Sequence, residues 1–327
     1  MKVLFIGGSR FVGWHAAARL IKEGHALTFL RRGSFPPPFP GVPETLGDRA
    51  LPATWARLPR RASWDMAVDC CAYTAADTRL AVKALAGRVG RYVNIGTGQV
   101  YLVLNRAPTP SREGDFKGPT MPPPPGPERG AWRYGMDKRA CEETLAEAGE
   151  RGFPFTTLRL PVVQGPRDHK FRLHAYVRRV LDGGPILLPK ERSGRLRHLF
   201  VKDAAALVAG LLRTPAGLGK AYNLAMEEDD VTLPALCAQV YRSLGREPRV
   251  RQVPRRRLAA AGIPEESSPL SGSWISFMDP GLARRELGFR TTPWKEWLAE
   301  TVRWTASDLG RAEPGYEART RELALVT

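Results

Sequence analysis

The feature that most constrains this chain is a glycine-rich turn directly after its first apolar segment. The apolar run 3–6 leads into GGSRFVG at 7–13, an amphipathic stretch follows from about Phe11 to Glu23, and a second apolar run covers 26–30. Short apolar runs bounded by glycines are typical of strands buried on both faces. The opening therefore predicts a strand, a turn, a helix and a second strand, which together form one βαβ unit.

The same alternation continues through the first half of the chain. It predicts further strands at 66–70, 91–95 and 155–160, and helices at 75–86 and 134–150. Strands that alternate with helices predict an α/β fold with a doubly wound parallel sheet over 1–165. The alternation weakens beyond Gly165. Residues 166–308 are predicted to form a smaller C-terminal α/β lobe, partly interleaved with the first domain, and 309–327 a polar, loosely held tail.

The glycine-rich turn has the residues that a dinucleotide pyrophosphate requires. Gly7 permits a tight turn, Gly13 permits close packing of the helix on the strand, and the first backbone amides of the helix face an anion. Arg10 stands where the usual pattern has a glycine, and its guanidinium can clamp a phosphate instead. Cofactor contacts are expected at Gly7, Ser9, Arg10, Phe11, Val12 and Gly13. The alternative is a strand-to-helix turn without a ligand.

The residues that end the second strand bear on the choice of cofactor. A carboxylate here would bind the ribose hydroxyls of NAD, whereas Arg31 and Arg32 can pair with the 2′-phosphate of NADP. NADP is therefore the preferred cofactor, NAD remains open, and solvated surface arginines are the alternative. Asp48 follows a third predicted strand and is a candidate adenine contact.

Tyr134 and Lys138 form a YxxxK motif at the predicted start of a helix. Residues four apart share one helical face, so the phenol and the ammonium point into the same space. The ordinary pKa of tyrosine is about 10, and a nearby ammonium and a helix N-terminus should both lower it. Tyr134 is thus a candidate general acid/base. Thr97, just past the strand 91–95, is a candidate donor to a substrate oxygen. The alternatives are that Tyr134 and Lys138 are an incidental exposed pair and that Thr97 only caps a turn.

Composition narrows the partners and the compartment. The chain carries 50 Lys and Arg against 33 Asp and Glu, a formal net charge of +17. This balance favours anionic partners such as nucleotides, phosphorylated sugars or nucleic acid, although a solvated basic surface would also account for it. The four cysteines include no CxxC pair, no apolar run is long enough to span a bilayer, and the N-terminus does not resemble a signal peptide. These features predict a cytoplasmic protein without a metal site or a membrane partner.

Taken in order, the motifs resemble the extended short-chain dehydrogenases, the NAD-dependent epimerase/dehydratase family. The segments that carry the resemblance are GGSRFVG at 7–13, TGQVY at 97–101, YGMDK at 134–138, LRLPVVQGPRD at 158–168, HLFVKDAAALVAGLL at 198–212, AYNLAMEEDDVTLPAL at 221–236 and FMDPGLARRELGF at 277–289. They extend over nearly the whole chain to about Asp308. The GG(S/T)RF(V/I)G form of the turn also resembles a subgroup that contains bacterial reductase-like proteins and RNA-binding relatives.

The resemblance implies a Rossmann fold and an oxidoreductase of the epimerase, dehydratase or reductase type that uses NADP or NAD. Tyr134 would exchange a proton with a substrate hydroxyl while hydride passes between substrate and nicotinamide, with Thr97 and Lys138 as its catalytic partners. Lys138 would also contact the cofactor, as would Ala72, Tyr73, Pro161 and Val163. Members of the family are often homodimers joined through the helix that carries the lysine.

The resemblance also implies where substrate binds. The segments that line the family's substrate cleft contain Arg167, His169, Arg172, Arg195 and Arg197 here, and a phosphorylated or nucleotide-linked small molecule would suit these side chains. Arg197 is the strongest single candidate, and solvated surface residues are the alternative. Two other functions stay open: an RNA-binding protein on the same scaffold, and a catalytically silent nicotinamide-sensing regulator.

Overall fold

The computed structural model describes residues 1–192, 194–308 and 315–326. The strands are β1 (Lys2–Ile6), β2 (Ala26–Arg31), β3 (Glu44–Leu46), β4 (Met66–Asp69), β5 (Tyr92–Thr97), β6 (Phe155–Leu160), β7 (Val163–Gln164), β8 (Ile186–Pro189), β9 (Leu199–Phe200), β10 (Lys220–Asn223) and β11 (Val250–Val253). The helices are α1 (Phe11–Lys22), α2 (Pro52–Ala56), α3 (Ala75–Leu85), α4 (Gln99–Leu102), α5 (Glu128–Glu150), α6 (Arg172–Leu181), α7 (Val201–Gly210), α8 (Leu233–Ser243), α9 (Arg255–Ala260), α10 (Gly281–Leu287), α11 (Trp294–Ser307) and α12 (Arg319–Ala324). Each strand and helix predicted for the first half is present. The largest difference is at α5, which begins six residues before Tyr134.

Seven of these strands form one parallel sheet in the order β10-β6-β5-β4-β1-β2-β3. The chain builds outward from β1 in one direction through β2 and β3, and then in the other direction through β4, β5 and β6. The predicted doubly wound α/β fold is therefore confirmed. The strand order reverses between β1 and β4, and ligands bind at the carboxyl ends of strands at such a switch point.

The sheet is buried on both faces, which explains its uninterrupted apolar sequences. Val3, Leu4, Phe5 and Ile6 of β1 are all fully buried. Helices pack in layers beside it, with α1 against α7 and α3 against α5. Strands covered on both faces need apolar residues at every position, and the run 3–6 meets that requirement.

The described chain divides into two compact units that interleave in sequence. The first consists of Met1–Pro161, Val201–Ala225 and Ser276–Arg290, and the second of Val162–Phe200, Met226–Ile275 and the described residues from Thr291 onward. The sequence predicts a second lobe from residue 166 that is partly interleaved with the first domain, and the structure gives the segments that return to the first unit as Val201–Ala225 and Ser276–Arg290.

Within the second unit, short parallel strand pairs and helices surround a core of their own. β7 pairs with β9, β8 pairs with β11, and α11 packs against both α6 and α8. The Phe200 and Trp297 rings stack with centroids 6.1 Å apart. Among all described residues, no helix is both long and apolar enough to cross a membrane.

The C-terminal residues of the second unit are attached through buried charges. Of the predicted polar tail, 309–314 and 327 lie outside the described residues, whereas 315–326 contain a short 3₁₀ turn and α12. The Glu322 carboxylate accepts from the Arg179 guanidinium at 2.5 and 2.8 Å, and both side chains are buried. Arg319 donates to Glu322 at 2.8 Å and to Asp182 at 2.7 and 2.8 Å. The described part of this segment is therefore ordered by ion pairs that its polar composition alone does not indicate.

Candidate active site

The glycine turn after β1 is as tight as the sequence predicts. Gly7 and Gly8 have positive φ angles of 69° and 74°, which are rarely adopted by other residues. A Cβ on Gly13 would lie 2.3 Å from the Gly8 Cα, so α1 starts in direct backbone contact with the turn. A Cβ on Gly7 would meet the Cys71 Sγ at 2.7 Å. The turn thus brings the start of α1 and the loop after β4 close to the carboxyl end of β1.

This turn fits the pyrophosphate of a dinucleotide. The first amides of a helix have no acceptor within the helix, and the side chain of the N-cap residue Arg10 does not cap those of α1. Ser9 and Val12 are partly exposed here, while Phe11 is buried. The Arg10 guanidinium lies 4.8 Å from the centroid of the Phe35 ring. The cradle therefore offers backbone amides with one exposed cation beside them, and its cofactor contacts stay predictions.

Arg31 does not have the free guanidinium that the sequence analysis expects. It is 7 % exposed, it donates to both carboxylate oxygens of Glu44 at 2.6 and 2.7 Å, and it donates to the Phe35 carbonyl at 2.6 Å. Its register partner is Leu46, whereas Glu44 lies two residues earlier in β3. The charge of Arg31 is thus already compensated by Glu44 inside the fold, and its pairing with a 2′-phosphate stays a prediction. Arg32, the next residue, is exposed.

The residue after Asp48 is one that sequence reasoning missed. Asp48 is exposed and accepts from the Ala50 amide at 2.9 Å, so an adenine contact stays a prediction. Arg49 is buried and donates to Asp69 at 2.5 Å and to the Asp77 carbonyl at 3.0 Å. Although burial alone raises the pKa of Asp69, the Arg49 guanidinium holds that pKa below its usual value. In the sequence, the only indication of this pair is the GDR segment at 47–49, which follows β3 and contains Arg49.

The Arg49–Asp69 pair fixes the loop that follows β4. Asp69 also accepts from the Tyr92 hydroxyl and, at 3.0 Å, from the Cys71 amide. The loop continues into Ala72, which is buried, and Tyr73, which is 56 % exposed. This places the Ala72 carbonyl and the Tyr73 ring at the same edge of the sheet as the glycine turn, where the resemblance places them.

Thr97, Tyr134 and Lys138 come together at the carboxyl end of β5. Thr97 is the last residue of β5, and its hydroxyl lies close enough to the Tyr134 phenol of α5 to lower the pKa of that phenol. Lys138 lies one helical turn further along α5, is 3 % exposed, and donates to the Ala72 carbonyl at 2.8 Å and to the Ile95 carbonyl at 3.0 Å. The three side chains predicted from separate motifs thus share one edge of the sheet.

The electrostatics of Tyr134 differ from the expectation. Although Tyr134 is 36 % exposed, the partial burial of its phenol raises the pKa to about 12, with the Tyr73 phenol also raising it and the Thr97 hydroxyl lowering it. Lys138 makes its contacts to backbone carbonyls, and α5 begins at Glu128, so Tyr134 lies well inside the helix. The prediction that the ammonium and a helix N-terminus lower this pKa is therefore wrong for the protein alone. The phenol carries its proton at neutral pH.

The candidate substrate residues belong to the second unit, and most already have partners there. Arg197 is 8 % exposed and donates to the Met226 and Glu227 carbonyls at 3.2 and 3.0 Å. Arg172 is paired with Asp168 at 3.1 Å. Arg195 is exposed and donates to the Asp229 carbonyl at 3.5 Å. Arg167 is exposed with a φ of 68°, and His169 is partly buried.

Two further residues were predicted beside the nicotinamide. Pro161 directly follows β6 at the carboxyl edge of the main sheet. Val163 lies in β7 of the second unit, where its register partner is Leu199. Their contacts with a cofactor stay predictions. Among the residues that the structure describes, no group of three or more His, Cys, Asp or Glu side chains is arranged to hold a metal ion.

A glycine turn at the switch point of a parallel sheet, together with a Thr–Tyr–Lys constellation, is typical of nicotinamide-dependent enzymes of the short-chain dehydrogenase class. The chain belongs to the NAD dependent epimerase/dehydratase family, whose sequence profile matches residues 3–225. The protein is accordingly an enzyme of that family.

Individual relatives illustrate the range of chemistry in the family. The 2′-dehydrokanamycin reductase of Streptomyces kanamyceticus is 28% identical over 298 residues, which are 87% of this chain and 78% of the relative. The UDP-glucose 4-epimerase of Thermotoga maritima with UDP-glucose matches with a TM-score of 0.73 at 17% identity, over 95% of this chain and 100% of the other. The dTDP-glucose 4,6-dehydratase of Bacillus anthracis in complex with NAD matches with a TM-score of 0.73 at 15% identity, over 94% and 97%. These two structures share the fold of this chain.

Proposed function

We propose that the protein is an NAD(P)-dependent oxidoreductase that acts on a hydroxyl or carbonyl group of a sugar nucleotide or another phosphorylated small molecule. Tyr134 is the general acid/base, and Thr97 and Lys138 assist it. The observation that carries the proposal is the meeting of three side chains at the carboxyl edge of β5: Thr97 ends that strand, the Tyr134 phenol of α5 lies close enough to feel the Thr97 hydroxyl, and Lys138 follows one helical turn later.

The raised pKa of Tyr134 favours carbonyl reduction over alcohol oxidation, because the phenol of the free enzyme is protonated. A phenol with a pKa of about 12 holds its proton at neutral pH and can donate it to a carbonyl oxygen as negative charge develops there. The Thr97 hydroxyl is the second donor to that oxygen. When bound, the reduced nicotinamide supplies the hydride. The reductase among the relatives supports the same direction.

Lys138 holds a fixed position from which it can reach the cofactor. An ammonium has three N–H donors, and two of those on Lys138 are used by the Ala72 and Ile95 carbonyls. The third N–H is therefore available for a ribose hydroxyl. In this arrangement Lys138 orients the nicotinamide beside Tyr134. Its ammonium also keeps a positive charge close to the phenol when Tyr134 gives up its proton.

For the cofactor we favour NADP, with Arg32 and Arg10 as the partners of the 2′-phosphate in place of Arg31. Both arginines are exposed and lie after β2 and β1, respectively. Glu44, the carboxylate that could repel a phosphate in this region, is neutralised by Arg31. NAD remains the alternative, and it is bound in the dehydratase structure that shares the fold.

An anionic substrate agrees with the charge of the chain and with the second unit. The net charge is +17, and Arg167 and Lys170 are exposed after β7. A cavity of about 500 Å³ in this unit is lined by apolar residues that include Leu187 and Ile263, by the cations Lys170 and Arg255, and by the carboxylates Glu265, Glu266 and Glu322. Its apolar walls suit a ring system, and Lys170 is the cation that would meet a phosphate on it. The UDP-glucose bound to the epimerase relative has this chemistry.

The test of the function is the variant Tyr134→Phe, assayed by the absorbance of reduced nicotinamide with a panel of keto-sugar nucleotides and phosphorylated ketones. Turnover should fall by about 10²–10⁴-fold while cofactor affinity stays within about threefold, because only the transferred proton is removed. Tyr222→Phe is the matched control, since the Tyr222 hydroxyl donates to Glu286 at 2.5 Å away from the proposed chemistry.

The pH profile provides a second readout. The acid form of Tyr134 is populated below its pKa of about 12, so carbonyl reduction should not lose its acid as the pH rises through neutrality. The reverse oxidation requires the phenolate and should speed up by about tenfold per pH unit. Full turnover in Tyr134→Phe would refute the assignment of the acid, and so would a reduction rate that falls with an apparent pKa near about 7.

A further inference from the structure

We propose that Gly98 and Gly135 are positioning residues that hold the Thr97 hydroxyl against the Tyr134 phenol. Ser276 and Met278, which are far along the chain, contribute by packing against Gly98. The inference rests on the proposed function, because it assumes that Thr97 and Tyr134 act together. We call residues 96–99, which join β5 to α4, the Thr97 corner.

One side of the Thr97 corner is in contact with a segment far along the chain. A Cβ on Gly98 would lie 2.3 Å from the Ser276 Oγ, 2.7 Å from the Ser276 Cβ and 2.6 Å from the Met278 Sδ. Gly98 has φ −67° and ψ −7°, a conformation open to any residue. A glycine is therefore required here by the contact with Ser276 and Met278, and not by the backbone angles.

The segment that touches Gly98 is itself firmly held. The Ser111 amide donates to the Phe277 carbonyl at 2.9 Å, and the Asp279 amide donates to the Ser111 carbonyl at 2.9 Å. Asn223 donates to the same Ser111 carbonyl at 3.1 Å. Met278 is fully buried and packs in one apolar cluster with Val100, Tyr101 and Leu104. The segment is therefore a fixed surface and not a mobile one.

Helix α5 contacts the other side of the Thr97 corner at the residue after the catalytic phenol. A Cβ on Gly135 would lie 2.8 Å from the Gln99 carbonyl oxygen and 2.6 Å from a Val103 methyl group. Because the first of these atoms belongs to the backbone, it cannot move aside without moving the Thr97 corner. The absence of a side chain at 135 thus sets the distance between α5 and the end of β5.

Tyr101, which lies in α4, fixes that helix through hydrogen bonds to Asn223 and Arg159. Its hydroxyl donates to Asn223 at 2.8 Å and accepts from Arg159 at 2.6 Å, and the ring is fully buried. The Thr97 corner is consequently held between two surfaces that meet it at glycines, while α4 cannot rotate away. Displacement at either glycine should lengthen the distance between the Thr97 and Tyr134 hydroxyls.

The first experiment compares Gly98→Ala with the double variant Gly98→Ala/Ser276→Gly. The single variant should lower kcat by about 10–100-fold with the KM for the cofactor nearly unchanged, as expected for a displacement of about 1 Å. Removing the Ser276 side chain takes away two of the three nearest atoms, at 2.3 and 2.7 Å, and leaves the Met278 Sδ at 2.6 Å, so the double variant should recover most of the lost kcat. Full activity in Gly98→Ala, or equal loss in the single and double variants, would overturn the role of Ser276.

The second experiment uses two glycines of the same helix. A Cβ on Gly130 meets no atom within 4 Å, so Gly130→Ala is the control for Gly135→Ala. Gly130→Ala should keep wild-type kcat. Gly135→Ala should lower kcat as the Thr97 hydroxyl moves away from the Tyr134 phenol, and the pH profile of alcohol oxidation should move to higher pH, because Thr97 lowers the pKa of Tyr134. Equal kcat in both variants would overturn the role of Gly135.

Crystal structures of the variants separate this inference from the proposed function. They report the distance between the Thr97 and Tyr134 hydroxyls directly, whether or not a tested carbonyl compound is turned over. A lengthened distance in Gly98→Ala and Gly135→Ala that returns in the double variant supports the positioning. An unchanged distance in all of them refutes it even if the enzyme proves to be a reductase.

Discussion

The glycine turn at 7–13 and the arginines at 167–197 were both expected to bind phosphate, yet the structure treats them differently. The turn keeps its backbone geometry for a ligand, with a cradle formed by Gly7, Gly8 and Gly13. Of the arginines, Arg197 donates to backbone carbonyls and Arg172 to Asp168. The difference shows that the backbone geometry of a glycine turn can be predicted from sequence more safely than the partners of a long cationic side chain, which can bind to its own protein.

Among the variants that test this comparison, Arg49→Ala is expected to have the largest effect on stability. Asp69 is fully buried and depends on Arg49 for its charge, so the variant leaves an uncompensated carboxylate beside the glycine turn. The free energy of unfolding should fall by about 3–5 kcal/mol. Chemical denaturation measures the loss, and it should shrink at low pH as Asp69 becomes protonated. A variant as stable as the wild type would show that the loop after β4 does not depend on this pair.

A smaller effect separates the two kinds of arginine in the second unit. Arg197→Ala should lower the free energy of unfolding by about 1–3 kcal/mol, because the buried Met226 carbonyl and the partly buried Glu227 carbonyl lose this donor. Arg167→Ala changes an exposed side chain and should stay within about 0.5 kcal/mol while raising the KM for a phosphorylated substrate. Thermal unfolding and steady-state kinetics distinguish the two. Equal stability losses would remove the contrast between structural and exposed arginines.

The smallest effect concerns the end of β2. Arg32→Ala should weaken NADP relative to NAD by about tenfold, which corresponds to about 1.4 kcal/mol. Arg31→Ala should weaken both cofactors to a similar degree, because it disturbs the Glu44 contact and not a phosphate contact. Titration of each cofactor against both variants gives the ratios. A larger NADP-specific loss in Arg31→Ala than in Arg32→Ala would restore the original assignment.

The sequence supports prediction where a feature is local. Strand β1 and the turn at 7–13 follow from an apolar run and its glycines, and Tyr134 and Lys138 follow from their spacing on one helix. The pKa of Tyr134 could not be predicted, because it depends on the burial of the phenol and on a lysine whose donors go to the Ala72 and Ile95 carbonyls.

Long-range contacts lie outside the reach of such patterns. The Arg49–Asp69 pair and the contact of Gly98 with Ser276 each join residues from different strands or from opposite ends of the first unit. Nothing in the sequence near Gly98 indicates Ser276, since no periodic pattern links them. The sequence predicts that α5 begins at the YxxxK motif, whereas the helix begins six residues earlier, at Glu128. Residues 128–133 contain no motif that marks them as helical.

The buried pair Arg179–Glu322 has a consequence for how this protein can vary. The two residues are 143 positions apart, and each neutralises the other inside the second unit. Loss of α12, or of Glu322 alone, would leave a guanidinium in the interior that only a second change at position 179 could relieve. Substitutions at these two positions should therefore occur together, and a shortened C-terminus should be tolerated only in chains that carry an uncharged residue at 179.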